Sequence, residues 1–492
     1  MFKKFKIIKI TLITVVSIFA CLLMFLHQSG YMHILFKMPL ELFPLRFYKI
    51  EEFQRQTSRA PSDYITPKEM TEDLNQLKSD LLTVHPSTID GFSEETIVVF
   101  EKAFEEAKQS MQIANFRRIV SELLATLGDA HTNSMRGSNR LPTTLKVIEN
   151  RWYVISCDYF AAGSEVISIG GMPMAEIFQK GKRIISHENQ YWYTTLLESI
   201  IVQRLFLSKI GVAMQNGHVE VVTKKDDMIT KSTFNLSYCW RDLDPREREN
   251  GLDFVTCPEG NDAFKYFINE EASYGLFVLS SSQYDRAYKA FLKQMFQDMK
   301  TYEVENIIID LRGNTGGNSM VVVEFLRYID VRTYSLGKKM LVRLSDDAQK
   351  QRGYLGNSGL FSVSLEKMKN RIFEQLKFNG SIYVLIDNAT YSAGSDFATT
   401  LSDNELATTI GRPTGGRPTS YGDLLNFQLN HSKISYSISH KQFIRASKEK
   451  RYDDALYPDY EVIYTIEDIL EGRDLDMGKA LELIGIIYNN EK

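Results

Sequence analysis

The sequence predicts a mixed α/β protein of several domains, and three changes of pattern along the chain support that prediction. Residues 66–127 carry apolar side chains at helical spacing, and residues 141–236 contain short runs typical of strands. From about residue 266 onward the chain repeats strand–turn–helix units, which are typical of a largely parallel sheet covered by helices. With 492 residues, the chain is long enough for two to four domains.

The composition is that of an ordinary globular protein, with 43% hydrophobic and 24% charged residues and a net charge of −4. This mild charge, without a basic stripe, argues against a nucleic-acid partner. The four cysteines show no CxxC spacing, so neither a zinc ribbon nor a thioredoxin-type site is supported. The chain also lacks HExxH and Walker motifs, and we predict neither a metal nor an organic cofactor.

Residues 1–30 are predicted to form a basic cytoplasmic tip and a transmembrane anchor. Four lysines precede residues 10–26, a run without charge that would rise about 26 Å as a helix, close to the thickness of a bilayer core. The lysines favour the cytoplasmic side, so the body is expected outside a cell membrane that the chain crosses once. A cleaved signal peptide is the alternative, but no A-x-A-like site follows the run. Residues 31–62 are predicted to be a juxtamembrane linker.

Residues 63–139 are predicted to form an N-terminal helical domain. Thr66 and Glu69 have the spacing of a capping box, and Pro67 stands at the first helical position between them. Further helices are expected from about 95 to 111 and from about 116 to 127. Residues 140–240 are predicted to form a small β-rich module with one or two helices.

In the last predicted domain, residues 241–492, three glycine- or serine-rich turns could support chemistry, and the third of them is GRPTGGRP, which begins at Gly411. In VLIDNATYSAGS, Ser392 stands where a strand passes into a helix. Such a serine is either a helix N-cap or a nucleophile placed beside backbone N–H groups, and the stretch alone leaves both open. In DLRGNTGG, Gly316 and Gly317 follow a strand of three isoleucines and either form a tight turn or allow close approach to a bound group.

A nucleophilic serine needs a base, and the histidines of the chain are the candidates. His131 follows a long amphipathic helix, in a turn with Gly128 and Asp129, where a cap or surface role is the alternative. His440 closes a strand-like run and is the competing candidate. If His131 is the base, turnover is expected to rise with pH through a value near that of free histidine, about 6.5.

Six stretches occur along the chain in an order that resembles the tail-specific, or C-terminal processing, serine peptidases. This family includes the tricorn core protease and the repeats of retinoid-binding proteins, and the resemblance spans roughly residues 70–490. The stretches are LLATLGDAHT, GSEVISIGGMPM, IIIDLRGNTGGNS, VLIDNATYSAGSDFA, IGRPTGG and YDDALYPDYEV.

The resemblance implies a ClpP- and crotonase-like ββα catalytic core in residues 241–492 and a PDZ-like β module in residues 140–240. It places Ser392 at the position of the nucleophile. The N–H of Ala393 would be one oxyanion donor, and the N–H of Gly316 or Gly317 would be the other.

Two departures from the family pattern are informative. Where members with a serine–lysine dyad carry lysine, this chain has Arg417, which stays protonated and cannot act as a base. The chain therefore resembles the tricorn-type branch, in which the base is a histidine, here His131, and the residue that orients it is predicted to be Asp453. Asp129 is expected to cap a turn, although its closeness to His131 keeps it a candidate. Where many members have glutamate, this chain has Ser395, followed by an aspartate.

The resemblance thus predicts a membrane-anchored, extracytoplasmic serine endopeptidase that cleaves polypeptide substrates through Ser392, with His131 as general base. No metal or cofactor is needed for such chemistry. The alternative is a catalytically inactive member that acts as a tethered peptide- or ligand-binding module.

Overall fold

The computed structural model describes residues 53–134, 143–157, 159–235, 255–256, 262–271, 273–354, 357–446 and 454–486. Within these ranges, no helix combines the length and apolar character that crossing a bilayer requires. The predicted membrane segment, residues 10–26, lies outside the described residues.

The first part of the described chain is helical, as predicted, with one small β-ribbon. Its elements are β1 (Tyr64–Ile65), α1 (Pro67–Val84), α2 (Glu94–Glu106), β2 (Met111–Gln112) and α3 (Ile113–Ala125). The capping box at the start of α1 is confirmed, because the Thr66 side chain accepts the Glu69 N–H and the Glu69 carboxylate accepts the Thr66 N–H. The turn that carries His131 follows α3.

The second part is a mainly antiparallel sheet with strand order β3-β4-β5-β7-β8, and β6 pairs with β5. Three helices accompany it, rather than the one or two that the sequence suggested. The elements are β3 (Thr143–Ile148), β4 (Arg151–Cys157), β5 (Glu165–Ile169), β6 (Met172–Pro173), α4 (Met174–Lys182), α5 (Gln190–Ile200), α6 (Arg204–Lys209), β7 (His218–Lys225) and β8 (Met228–Asn235). Asn189 caps α5, because its side-chain oxygen accepts the Trp192 N–H. This cap holds the preceding residue, Glu188, at the start of the helix.

The third part contains two larger sheets. Its elements are β9 (Val255–Thr256), β10 (Phe264–Asn269), β11 (Tyr274–Leu279), α7 (Arg286–Thr301), β12 (Asn306–Asp310), α8 (Met320–Leu326), β13 (Thr333–Tyr334), β14 (Lys339–Leu344), α9 (Asp346–Arg352), β15 (Gly359–Ser364), β16 (Met368–Lys369), β17 (Ser381–Ile386), α10 (Ala393–Asp403), β18 (Thr408–Gly411), β19 (Ser420–Gln428), β20 (Ser435–Ile444), β21 (Tyr460–Glu461), α11 (Ile466–Leu470) and α12 (Leu475–Leu483).

The seven-stranded sheet has the order β21-β18-β17-β12-β11-β10-β9. Strands β11, β12, β17, β18 and β21 run parallel to one another, whereas β10 and β9 are antiparallel. The prediction of a largely parallel sheet is therefore confirmed. Because parallel strands end at the same edge of a sheet, the turns after β12 and β17 lie side by side.

The four-stranded antiparallel sheet, in the order β15-β14-β20-β19, ties the helical part of the chain to the core. Its apolar side chains share one buried cluster with those of α1, α2 and α3. Strand β20 also holds the turn after α3, since the Ser437 hydroxyl donates to the His131 carbonyl at 2.7 Å and the Ser437 N–H donates to the Asn133 carbonyl at 2.9 Å. This contact holds the His131 turn on the antiparallel sheet.

A buried charge network fixes the turn after β12. The Arg312 guanidinium donates to Asp310 at 2.7 Å, to Asp474 at 2.6 Å and to Asp476 at 3.0 Å. The Asp476 side chain is 1% exposed, so its charge depends on this arginine. The network joins the glycine-rich turn to the start of α12.

We predict that Arg312→Ala lowers the free energy of unfolding by about 3–5 kcal/mol, because it leaves buried carboxylates without a cation. Urea unfolding followed by circular dichroism measures this. Lys479→Ala is the matched control, since its partner Glu482 is 69% exposed and such surface pairs contribute little. Equal stability of Arg312→Ala and Lys479→Ala would contradict the structural role of the network.

Candidate active site

Ser392 occupies a strained turn between β17 and α10. Its backbone has φ 52° and ψ −126°, a region that a residue with a side chain rarely adopts. Ser392 stands at the N-cap position, but its side chain makes no capping hydrogen bond. The capping interpretation of this serine is therefore wrong, and the hydroxyl is left for other partners.

Two glycines pack directly against the turn of Ser392. A Cβ added to Gly316 would lie 2.6 Å from the Ser392 Cβ, and a Cβ added to Gly416 would lie 3.0 Å from the Ser392 N and 2.1 Å from the Ser395 Oγ. A side chain at Gly316 would displace Ser392, and a side chain at Gly416 would displace Ser395 and the Ser392 backbone. The sequence predicted that Gly316 allows close approach to a bound group, whereas the group that packs against it here is Ser392.

The three candidate oxyanion donors differ in their hydrogen bonds. The Gly316 N–H already donates to the Asn314 side-chain oxygen at 2.9 Å. The N–H groups of Gly317 and Ala393 meet no acceptor among the described residues. Of the predicted donors, Gly317 and Ala393 are therefore the two whose N–H groups remain available.

His131 lies beside the serine hydroxyl. Its Nε2 is 3.0 Å from the Ser392 Oγ. Its Nδ1 faces three groups, the Tyr391 hydroxyl at 2.8 Å, the Glu188 Oε1 at 3.4 Å and the Asp129 Oδ1 at 3.5 Å. The two carboxylates are almost fully buried, with the Glu188 side chain 1% exposed and that of Asp129 0% exposed.

Tyr391 links His131 to Glu188. The Tyr391 hydroxyl donates its single hydrogen to the Glu188 Oε1 at 2.8 Å. The Tyr391 hydroxyl oxygen can therefore accept the Nδ1–H of His131, which also lies at 2.8 Å. The Tyr391 ring stacks on Trp192, with centroids 3.9 Å apart, and also on His131 at 4.8 Å. This arrangement favours the tautomer with the proton on Nδ1, which leaves Nε2 free to accept the serine proton.

Asp129 has the turn role that the sequence suggested, along with its place beside His131. Its Oδ1 accepts the His131 N–H at 2.9 Å, and its Oδ2 accepts the Thr132 hydroxyl at 2.6 Å. The same Oδ2 lies 3.3 Å from the Nε2 of His85. Asp129 therefore fixes the backbone around the histidine.

The sequence also named two other residues for this site. Asp453 lies outside the described residues, so its assignment stays a prediction. His440 is fully buried, with its Nε2 3.2 Å from the Tyr354 hydroxyl and its Nδ1 bonded to the Asp423 carbonyl. Burial lowers the pKa of His440 to about 3, and its ring partners do not include Ser392.

Part of the chain matches a known protein family. Residues 274–462, which run from the start of β11 to just past the end of β21, match the sequence model of peptidase family S41. This core belongs to peptidase family S41. The protein is accordingly a serine-type peptidase, and peptides or proteins are its class of substrate.

Solved structures show the same fold over most of the chain. Mature CPAF complexed with lactacystin superposes with a TM-score of 0.63 at 15% identity, covering 85% of this chain and 99% of that one. A mutant of CPAF gives 0.60 at 15% identity, with 86% and 99% covered, and mature CPAF gives 0.58 at 14%, with 82% and 94% covered. No curated protein sequence matches the chain.

One cluster of side chains among the described residues has the residue types of a metal site. Ligand atoms of Asp129, His131 and Glu188 lie within 4.8 Å of one another. The Tyr391 hydroxyl, however, bridges the His131 Nδ1 and the Glu188 Oε1 with 2.8 Å hydrogen bonds to each. The polar atoms of the cluster thus satisfy one another, and we assign no metal to it.

The electrostatics of the peptidase site act mainly on His131. Burial alone would lower its pKa, but hydrogen bonds and negative charge from Asp129 and Glu188 outweigh burial and raise the pKa. The sequence-based expectation of a value near 6.5 therefore needs an upward correction. The sequence placed Asp129 near His131 but gave no sign of Glu188, whose charge acts on the same imidazole.

We predict that the His131 imidazole titrates above pH 6.5 and that Glu188→Gln lowers its pKa, because the variant removes one of the two charges that favour the imidazolium. Chemical shifts of the imidazole in an NMR pH titration measure both values. His440 serves as an internal control, since it should stay neutral over the same range. A His131 pKa below 6.5, or one unchanged in Glu188→Gln, would contradict this electrostatic account.

Proposed function

We propose that the protein is a membrane-anchored, extracytoplasmic serine endopeptidase in which Ser392 is the nucleophile and His131 the general base. The observation that carries the proposal is the 3.0 Å contact between the His131 Nε2 and the Ser392 Oγ, made by a serine whose hydroxyl does not cap its helix. Serine is a weak nucleophile unless such a base accepts its proton.

The first step would be attack of the Ser392 Oγ on the carbonyl carbon of the scissile peptide bond. The hydroxyl proton passes to the His131 Nε2 as the bond forms. The resulting imidazolium is stabilised by Glu188, through Tyr391, and by Asp129. The described residues thus offer two carboxylates for the orienting role that the sequence assigned to Asp453.

The carbonyl oxygen becomes an oxyanion during this attack, and it needs donors about 2.7–3.1 Å away. The free N–H groups of Gly317 and Ala393 are suited to that role, one from each of two neighbouring turns. Gly316 contributes differently, because its missing side chain lets Ser392 approach the loop.

Collapse of the tetrahedral intermediate breaks the carbon–nitrogen bond, and the leaving amine takes the proton from the His131 Nε2. The product is an acyl ester on the Ser392 Oγ. A water molecule then attacks the ester and gives its proton to the Nε2. The carboxylate product leaves as the Ser392 oxygen recovers a proton.

The proposed location rests on the sequence of residues 1–30. The uncharged run at residues 10–26 has the length of a membrane span, and four lysines precede it. Lysines next to a span favour the cytoplasmic face, which would leave the peptidase core outside.

We expect a fluorophosphonate probe to label the wild-type protein and not Ser392→Ala, because only an activated serine reacts. Peptide cleavage should fall by about three orders of magnitude or more in His131→Ala. His218→Ala is the matched control, since His218 is exposed and lies in β7. Full activity of His131→Ala together with a dead His440→Ala would overturn the assignment of the base. Wild-type protein that neither reacts nor cleaves would favour a binding module instead.

The proposed topology predicts that protease added to intact cells digests the peptidase core, since that core would face outward. Immunoblotting with an antibody against the core measures the loss. A cytoplasmic marker protein should survive the same treatment. Protection of the core until the cells are lysed would reverse the proposed orientation.

A further inference from the structure

A cleft of about 450 Å³ opens beside Ser392, between α10 and the four-stranded sheet. Ser392 and Asp396 both line it, and they are four residues apart on one face of the start of α10. The remaining wall is largely apolar and includes Met320, Val322, Leu336, Met340, Leu365 and Phe443. An extended apolar wall with a carboxylate near the reacting serine suits a long substrate side chain that ends in a positive charge.

The charges along this cleft are paired, with one exception. Asp403 binds Arg445 at 2.7 Å, and Asp423 binds Lys441 at 2.6 Å, so these four residues neutralise one another. Asp396 accepts a hydrogen bond from the Ser319 hydroxyl at 2.8 Å. Across the described part of the chain, no lysine or arginine forms an ion pair with Asp396.

Asp396 reaches solvent through the cleft. Burial raises the pKa of its carboxyl to about 6, whereas the Ser319 hydrogen bond and the nearby His131 act in the opposite direction. At neutral pH the group is therefore mainly ionised. A substrate side chain in the cleft would shield this charge from water, which is costly unless the side chain brings a compensating cation.

We propose that this cleft is the subsite for the substrate side chain next to the cleaved bond, on the acyl side, and that Asp396 selects lysine or arginine there. The inference rests on the proposed function of Ser392. The aliphatic part of the side chain packs on the apolar wall, and its ammonium or guanidinium group binds Asp396. An apolar side chain would leave the carboxylate buried and unpaired, and an acidic one would be repelled.

The first test uses peptides that are identical except at this position, where one carries lysine and the other norleucine, which has a similar stem and no charge. For the full-length protein we expect kcat/KM to favour lysine by about tenfold or more, as for a hydrogen bond to a charged group. In Asp396→Asn the ratio should fall towards one, whereas Asp90→Asn, which removes an exposed carboxylate outside the cleft, should keep it.

The outcomes of this test distinguish a failure of the proposed subsite from a failure of the proposed peptidase function. Cleavage without a lysine preference, or an equal loss on both peptides in Asp396→Asn, would overturn the subsite while leaving the peptidase intact. Cleavage by the wild type that does not exceed that by Ser392→Ala would overturn the proposed function, and the subsite with it.

A second test does not depend on turnover. The same two peptides are titrated calorimetrically into Ser392→Ala and into Ser392→Ala/Asp396→Asn. Tighter binding of the lysine peptide by about tenfold in the first protein, and equal binding of both peptides in the second, would support the proposal. Equal binding of both peptides to Ser392→Ala would contradict it.

Discussion

The site depends on one backbone conformation, the positive φ of Ser392 at the junction of β17 and α10. Such a conformation costs about 1–3 kcal/mol for a residue with a side chain, so the surroundings must impose it. Hydrogen bonds of the two preceding residues help to do so, because the Tyr391 N–H donates to the Asn314 carbonyl at 2.9 Å and the Thr390 carbonyl accepts the Gly416 N–H at 3.1 Å. The result is a serine hydroxyl that points away from its own helix and towards His131.

The partners of Ser392 come from distant parts of the chain, and the two sheets bring them together. The parallel sheet places the glycine-rich turn against the serine turn, because β12 and β17 are neighbours. The antiparallel sheet holds the His131 turn through Ser437. Glu188 completes the site from the end of a loop that Asn189 anchors at the start of α5. Asp129 and Glu188 therefore both lie beside His131, and their hydrogen bonds and negative charges raise its pKa.

The sequence predicted the parts of this site that depend on local pattern. Ser392 and Gly316 belong to short strand–turn–helix motifs, and His131 follows an amphipathic helix, so local pattern made each a candidate. The resemblance to the tail-specific peptidases then chose among the alternatives. Glu188 could not be found, since its role arises only when α5 packs near the serine turn. Tyr391 directly precedes Ser392 in the sequence, but its role follows only from the short distance between its hydroxyl and the His131 Nδ1. The separate four-stranded sheet was missed because its strands are scattered over residues 339–444.

The central claim is that Ser392 attacks a carbonyl whose oxygen then lies between two backbone N–H groups. A crystal structure of the protein after reaction with a fluorophosphonate tests it most directly, because the bound phosphonyl oxygen mimics the oxyanion. We predict a covalent bond to the Ser392 Oγ and a phosphonyl oxygen about 2.7–3.1 Å from the N–H groups of Gly317 and Ala393. A phosphonyl group bound to another residue, or an oxygen directed away from both N–H groups, would contradict the account.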